Sequence, residues 1–203
     1  MNRYQKRMTS KTQNIDHIAE LLVHIGRVCR AEEGQAGLTP AQWTCLRFFA
    51  RANAATRKPS AFASFQVTTR GTASQIIKTL EARGLLARHK SRTDGRSVRF
   101  DLTRAGLAML KHDPSGDLRR LLAALDAADC AAFAGTLSGL SSALAGLKNT
   151  PAFGTCGDCR HFSTSETAGF CACMAATIEV DDFDTLCGSY CARTGSTFTR
   201  KLT

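Results

Sequence analysis

Six of the nine cysteines in this sequence lie close together near its C-terminal end. Thiolate sulfur binds soft metal ions strongly, and in a reducing cytosol such a group favours metal or cofactor binding over disulfides. The six are Cys156, Cys159, Cys171, Cys173, Cys187 and Cys191. The remaining Cys29, Cys45 and Cys130 are scattered, and their apolar neighbours predict small core residues.

Two kinds of site could use these thiols. Zinc needs four tetrahedral nitrogen or sulfur ligands, and Cys156-x-x-Cys159 with Cys187-x-x-x-Cys191 could supply two pairs. His161 could also bind zinc, although a surface position explains it equally well. An iron–sulfur cluster needs four thiolates from more irregular spacings. Residues 151–203 lack a long apolar helix pattern, so this tail needs such a staple to fold.

Positive charge is concentrated in the rest of the chain. Residues 1–150 carry 23 Lys and Arg against 11 Asp and Glu, a net +12; residues 151–203 carry 4 against 6, a net −2, and the two sum to the +10 of the chain. A basic body favours a polyanionic partner, nucleic acid before an anionic membrane. The sequence shows no general acid–base pair, activated nucleophile, P-loop or dinucleotide-binding glycine run, so we expect no enzyme.

Nothing in the sequence predicts export or membrane insertion. The basic start, MNRYQKRMTS, has no apolar segment behind it, and no run of 18 apolar residues follows. We therefore expect a cytoplasmic protein that does not enter a membrane.

The stretch VTTRGTASQIIKTLEARG, residues 67–84, predicts the helix that meets the polyanion. Apolar residues recur at helical spacing, at Ala73, Ile76, Ile77 and Leu80. Thr68 is expected to cap the N-terminus of this helix, and Gly84 to end it. The opposite face is polar and cationic, with Gly71, Ser74, Gln75, Lys78 and Thr79.

The neighbouring elements predict how that helix is held. An amphipathic helix over residues 14–32 comes first, and Thr39, Pro40 and Gln42 then form a strong helix-start signal. Pro59 opens a short helix just before residue 67. Two strands follow, at residues 85–88 and 98–102, around an Asp94-Gly95 turn. Helix, helix, strand, basic hairpin and strand is the order of a winged helix.

Helices also close the basic body. Thr103 should cap one that breaks near Pro114, and Asp126 or Asp129 should start the last. The last helix carries a heptad seam lined with small residues, which allows close helix approach and predicts a dimer interface. The seam residues are Phe133, Leu137, Leu140, Leu144 and Leu147.

With these elements in place, LTPAQWTCLRFF and VTTRGTASQIIKTLEARGLLARHKSRTDGRSVRFDLTRAG resemble the multiple-antibiotic-resistance regulator (MarR) family of winged-helix transcription factors. The resemblance covers roughly residues 14–148. It implies a homodimer whose two recognition helices enter successive major grooves of a near-palindromic double-stranded operator. Arg96 should then enter the minor groove from the wing tip, with Asp94 orienting the loop.

The DNA contacts expected on this basis divide by chemistry. Gln75 and Thr72 suit base edges, Arg70 and Lys78 suit phosphates, and Gly71 allows close backbone approach. The full expected set is Thr68, Thr69, Arg70, Gly71, Thr72, Ser74, Gln75, Lys78, Lys90, Arg92, Asp94 and Arg96.

The tail resembles a second family. Cys-x-x-Cys-x-x-Phe, Gly-x-Cys, an Asp-rich stretch and Cys-x-x-Tyr are similar to small modules of the high-potential iron–sulfur protein type, which carry a [4Fe-4S] cluster. The resemblance implies a cluster in preference to zinc, with Phe162 and Tyr190 as apolar cover and Cys173 and Cys191 as spare or alternative ligands. The implied ligands are Cys156, Cys159, Cys171 and Cys187.

Together these patterns predict a mainly α chain with a small β-wing. Residues 1–150 form the winged-helix and dimerisation domain, and residues 151–203 form a small irregular module held by a metal or cluster. The expected function is cluster-controlled transcription regulation that senses redox state, iron or nitric oxide. The alternative is a repressor that responds to a small aromatic acid, with structural zinc in the tail and Trp43, Arg47 and His17 in the effector cleft.

Overall fold

A computed structural model describes residues 10–31, 37–90, 98–164 and 168–193 of the chain. Helices dominate the body and short strands dominate the tail. The helices of the described part are α1 (Ser10–Ala31), α2 (Pro40–Arg51), α3 (Pro59–Phe65), α4 (Arg70–Ala82), α5 (Arg104–Leu110), α6 (Gly116–Ala123) and α7 (Ala127–Leu147). The strands are β1 (Leu86–Lys90), β2 (Val98–Leu102), β3 (Phe162–Thr164), β4 (Gly169–Cys171) and β5 (Ala176–Ile178).

Helix α2 forms the centre of the core. Its predicted start is confirmed, because the Thr39 hydroxyl accepts from the Gln42 N–H and the Gln42 side chain accepts from the Thr39 N–H. Trp43 and Leu46 are completely buried on this helix. Burial also raises the pKa of the Cys45 thiol well above its usual range, as expected for a small core residue.

Helices α3 and α4 form the expected helix-turn-helix, with one correction. Thr69, and not Thr68, caps α4, because the Thr69 hydroxyl accepts from the Thr72 N–H at 3.1 Å. The Thr68 N–H is already bonded to the Ala63 carbonyl at 3.0 Å as α3 ends, so α4 begins one residue later. Gly84 ends the helix at φ +67°, as predicted.

The wing is an antiparallel pair. β1 and β2 are paired from Leu86 with Leu102 to Lys90 with Val98, so β1 runs further into the hairpin than the predicted residues 85–88. Residues 91–97 between the strands lie outside the described residues, and with them the predicted contacts Arg92, Asp94 and Arg96.

The last helices begin where the sequence predicts. Thr103 caps α5 and Asp126 caps α7, while α5 and α6 are separate helices on either side of Pro114. Large apolar side chains remain exposed in the single chain, on α1 at Ile15, Ile18, Leu21 and Val28 and on α7 at Phe133, Leu144 and Leu147.

Helix α7 is long and apolar. By length and composition alone it could cross a membrane, with 21 residues, a mean hydropathy of 1.4 and none of the tested window buried. The helix contains no unbroken apolar run of 18 residues, because Gly, Ser and Thr interrupt the run while lowering the mean hydropathy only slightly. The same small residues also suit close packing against another helix.

The tail is a three-stranded antiparallel sheet in the order β3-β4-β5, flanked by irregular chain. It is joined to the body by more than the linker. Leu186 belongs to the buried core around α2, and Phe153 packs against that core. The Phe153 ring lies edge-on to Phe65, with the ring centroids 5.2 Å apart.

Candidate nucleic-acid interface and cysteine cluster

The outer face of α4 is polar and cationic. Arg70, Gly71, Gln75 and Lys78 are exposed, and the first turn of the helix contains no acidic residue. Ala73, Ile77 and Leu80 are buried on the opposite face, which fixes the rotation of the helix on the core. The structure therefore presents side chains that can bind bases and phosphates on one surface.

The predicted contacts at the start of α4 are more constrained. The Thr69 and Thr72 hydroxyls lie 2.9 Å apart and bond to each other, so one of the two O–H donors is used within this turn and the other can donate to DNA. Thr68 and Ser74 are half-buried beside this turn.

The turn before α4 contains a feature that the sequence did not reveal. Val67 has φ +51° and is 71% exposed. A β-branched residue in the left-handed region is strained, and such strain persists only where the surrounding structure imposes it. The bonds from the Val67 N–H to the Ser64 carbonyl and from the Thr68 N–H to the Ala63 carbonyl impose it here. The α3–α4 turn is therefore tight.

The base of the wing is held by a carboxylate. Asp101 on β2 bonds to Arg57 at 2.9 Å and pairs with Arg99 at 3.1 Å and with His89 at 3.5 Å. Burial acts to raise the pKa of Asp101, but the Arg57 hydrogen bond and the charges of Arg99, Arg57 and His89 outweigh it and lower the pKa. Lys90, a predicted contact, is exposed at the end of β1.

The four cysteines expected to be ligands come together in the tail. Cys156, Cys159, Cys171 and Cys187 are all buried, whereas Cys173 is exposed and Cys191 is half-buried. The pKa of Cys156 is raised to about 11, first by burial and then by the nearby thiols of Cys187, Cys159 and Cys171 and by Asp182. Cys156, Cys159 and Cys187 lie in one buried cluster, and Cys171 is paired with Phe162 of the same cluster.

Different segments position these sulfurs. Cys156 begins a 3₁₀ turn over Cys156–Asp158 and Cys159 follows it, and a bond from the Cys159 N–H to the Cys156 carbonyl closes the turn at 2.9 Å. Cys171 ends β4 opposite Phe162. The Cys187 N–H bonds to the Gly154 carbonyl at 2.9 Å, which brings the most distant cysteine of the four back to the first pair.

Two aromatic rings cover the cysteines, and two glycines leave the space that these rings occupy. Phe162 and Tyr190 are buried in one cluster with Cys156, Cys159 and Cys187. A Cβ atom at Gly169 would lie 2.3 Å from the Phe162 ring, and one at Gly154 would lie 2.6 Å from the Tyr190 ring. A side chain at either position would therefore have to displace a buried ring.

The donor set constrains what could bind. Among the described residues, no group of three or more His, Cys, Asp or Glu side chains is arranged to hold a single metal ion. Zinc would hold its sulfur ligands about 2.3 Å from one centre. Four buried thiols with an aromatic cover are donors of the kind that both zinc and iron–sulfur clusters use. His161 lies outside this buried cluster.

The segment that carries Cys187 also contacts the body. The Leu186 N–H bonds to the Arg51 carbonyl at 2.7 Å, and the Asn53 N–H bonds to the Leu186 carbonyl at 3.0 Å. On the other side of Cys187, the Gly188 N–H donates to the Thr56 hydroxyl at 2.8 Å. These non-local contacts left no signal in the sequence.

A cavity of about 660 Å³ lies where α2, α5, α6 and the tail meet. Phe48, Phe65, Leu118 and Leu186 supply apolar lining, and Arg47 lies in its wall. Of the three residues expected in an effector cleft, only Arg47 lines this cavity. Trp43 is completely buried in the core, and His17 is exposed on α1.

Comparisons with known proteins identify the fold. The model of the MarR family matches residues 36–97, which contain α2 to β1. No curated protein matches the chain.

Solved structures extend the likeness beyond that segment. A mutant of MepR from a multidrug-resistant S. aureus clinical isolate is 18% identical, with a TM-score of 0.52, and the match covers 68% of this chain and 99% of that one. The MarR family transcription regulator SP03579 is 19% identical, with a TM-score of 0.51, and the match covers 68% of this chain and 91% of that one. Another S. aureus MepR mutant, bound to an oligodeoxyribonucleotide, is 18% identical, with a TM-score of 0.43, and the match covers 64% of this chain and 97% of that one. The chain thus has the mainly helical, MarR-like winged-helix fold.

Proposed function

We propose that this protein is a dimeric transcription regulator that binds a near-palindromic operator, and that a [4Fe-4S] cluster in its tail controls its affinity for DNA. The observation that carries the proposal is the grouping of four buried thiols in a segment that also packs into the winged-helix core. A cytoplasmic location follows from this function.

The body supports DNA binding through fold and charge together. A winged-helix fold displays the outer face of α4, where Gln75 can bond to base edges while Arg70 and Lys78 bind phosphates. The net +12 of residues 1–150 favours a duplex over other partners. The match to a family of transcription regulators agrees with the expectation that the chain is not an enzyme.

The exposed apolar faces of α1 and α7 support the dimer. Ile15 and Val28 are each 56% exposed on α1, and Leu144 is 52% exposed on α7. Leaving such a surface in water is costly at about 25 cal/mol per Å² of apolar area. A second copy of the chain would cover both helices and set the separation of two α4 helices on DNA.

The tail supports a cluster through its donor set. Cys156, Cys159, Cys171 and Cys187 would hold the group, which when bound supplies a centre sensitive to redox state, iron supply or nitric oxide. Phe162 and Tyr190 exclude water from the thiolates, and Leu186 and Gly188 connect the Cys187 segment to the body. A change at Cys187 therefore reaches residues that pack beneath α2 and α3.

Cysteine variants test the ligand assignment. Cys156→Ser and Cys187→Ser, purified without oxygen, should lose iron, sulfide and visible absorption, because three thiolates hold the group weakly. Cys173→Ser is the matched control, since Cys173 is an exposed cysteine of the same tail. Equal iron contents in all three variants, or zinc in place of iron, would contradict the proposal.

The cavity beside Arg47 favours a second candidate, an effector-responsive repressor with structural zinc in its tail. The cavity volume of about 660 Å³ is in the range of small-molecule sites, and its lining is mostly apolar. Arg47 is already bonded to Asp113 through Nε at 3.0 Å, so an acid would compete with that carboxylate. Calorimetry with benzoate tests this candidate. Heat of benzoate binding that is lost in Arg47→Met but retained in Lys111→Met would place the acid beside Arg47.

A further inference from the structure

The residues on either side of Cys187 are attached to the loop between α2 and α3. Leu186 forms two backbone hydrogen bonds, to Arg51 at 2.7 Å and from Asn53 at 3.0 Å. Gly188 donates to the hydroxyl of Thr56, a residue that is only 5% exposed. The backbone of Cys187 is thus held between two anchors at the end of α2 and on the loop that follows, and a shift of that backbone must either move the loop or break an anchor.

The same loop is attached to the wing. Arg57, the neighbour of Thr56, donates to Asp101 on β2 at 2.9 Å and to the Ala52 carbonyl at 2.7 Å. Its carbonyl accepts from the Phe100 N–H at 3.0 Å, so both backbone and side chain join the loop to β2. Cys187 is therefore connected to the base of the wing through its neighbour Gly188, the hydrogen bond from Gly188 to Thr56, and the two hydrogen bonds that join Arg57 to β2.

The packing around this connection makes partial movement costly. Gly188 is packed so closely on Thr56 that a Cβ atom there would lie 3.3 Å from the threonine methyl group. If the anchor were released, the buried Thr56 hydroxyl would lose a hydrogen bond and Leu186 would leave an apolar core. The docked arrangement therefore resists small displacements, as coupling between two sites requires.

We propose that residues 53–57, which we name the coupling loop, transmit the state of the cysteine site to the wing, and that the ligated tail is the form with high affinity for DNA. This inference rests on the function proposed above. Ligation fixes Cys187, and the anchors at Leu186 and Gly188 then hold the coupling loop and the base of β2. When Cys187 is no longer held, the segment releases and the wing loses its support.

The test removes an anchor without touching a cysteine. Thr56→Val keeps the shape of the side chain but loses the hydroxyl, and Thr56→Ser keeps the hydroxyl. Thr177→Val is the matched control, because Thr177 is an exposed threonine of the same tail. Operator affinity is measured for each protein with and without the cluster, and visible absorption establishes the loading.

The expected results are specific to the coupling. Wild type binds the operator more tightly when loaded, and Thr56→Val reduces the ratio of loaded to cluster-free affinity about five-fold, the effect of one lost hydrogen bond. Thr56→Ser and Thr177→Val keep the wild-type ratio. Asp101→Asn, which weakens the same connection at the wing end, also reduces the ratio, and it decides the question if Thr56→Val does not fold.

The outcomes separate this inference from the function on which it rests. If wild type binds no cluster, or binds the operator equally in both states, the proposed function fails and the inference with it. If wild type depends on the cluster while Thr56→Val and Asp101→Asn retain the full ratio, the function stands and the coupling loop is overturned. Tighter binding by cluster-free wild type would overturn the assigned direction.

Discussion

Leu186 offers a direct measure of how firmly the tail is joined to the body. It is 9% exposed within the core around α2 and lines one cavity together with Phe48 and Phe65. Replacing a buried leucine by alanine costs about 2–5 kcal/mol. Because Leu186 lines a cavity that already exists, we expect Leu186→Ala to lower the free energy of unfolding by about 2–3 kcal/mol, in the lower half of that range.

The assay uses the single tryptophan. Trp43 is completely buried on α2, so its fluorescence during urea denaturation reports unfolding of the body. In thermal melts the same loss lowers the Tm by roughly 5–10 °C for a chain of this size. Val180→Ala is the matched control, since Val180 is a tail residue that is 63% exposed. Equal, small effects of the two substitutions on Trp43 unfolding would refute the packing of the tail into the body.

Four further substitutions test other parts of the structure. Lys78→Ala should weaken binding to all duplexes and reduce the slope of log K against log[salt] by about 1. Gln75→Ala should mainly relax base preference, by up to about ten-fold. Identical salt titrations of the two variants would contradict the assignment of Lys78 to phosphates and Gln75 to bases. The pKa of Asp113, which burial acts to raise, is lowered to about 2 by Arg47, Arg119 and Ser115. Wild type should therefore lose about 2 kcal/mol of stability as pH falls from about 4 to 2, and Asp113→Asn should lack that component in acid denaturation. Gly169→Ala should destabilise the tail by about 1–3 kcal/mol, because the new methyl group meets two aromatic rings, while Gly157→Ala should not; equal tail stabilities by hydrogen exchange would show that the rings can move aside.

The local structure of the body could be predicted where short-range hydrogen bonds decide it. Thr39, Thr103 and Asp126 cap their helices as expected, and Gly84 takes the left-handed conformation that ends α4. The prediction that Thr68 caps α4 was wrong because either of two adjacent threonines can cap a helix. The choice of Thr69 depends on the bond from Thr68 to Ala63, which belongs to the preceding turn.

Non-local structure could not be predicted in the same way. Composition predicted a tail that needs a staple, and the resemblance named four cysteines that the structure buries together, but their binding of a cluster remains a prediction. The docking of Leu186 and Gly188 on the α2–α3 loop depends on backbone groups, which every residue carries. The strain at Val67 likewise arises from neighbouring turns and not from its side chain.

The central claim is that the cysteine site controls DNA binding, and one titration tests it most directly. Protein purified without oxygen should contain about four iron and four sulfide ions per chain, and removal of the iron should weaken operator binding at fixed salt. In the same titration, Cys171→Ser should bind the operator as weakly before iron removal as wild type does after it. A colourless protein that contains zinc, or one whose operator affinity is unchanged when its iron is removed, would contradict the account.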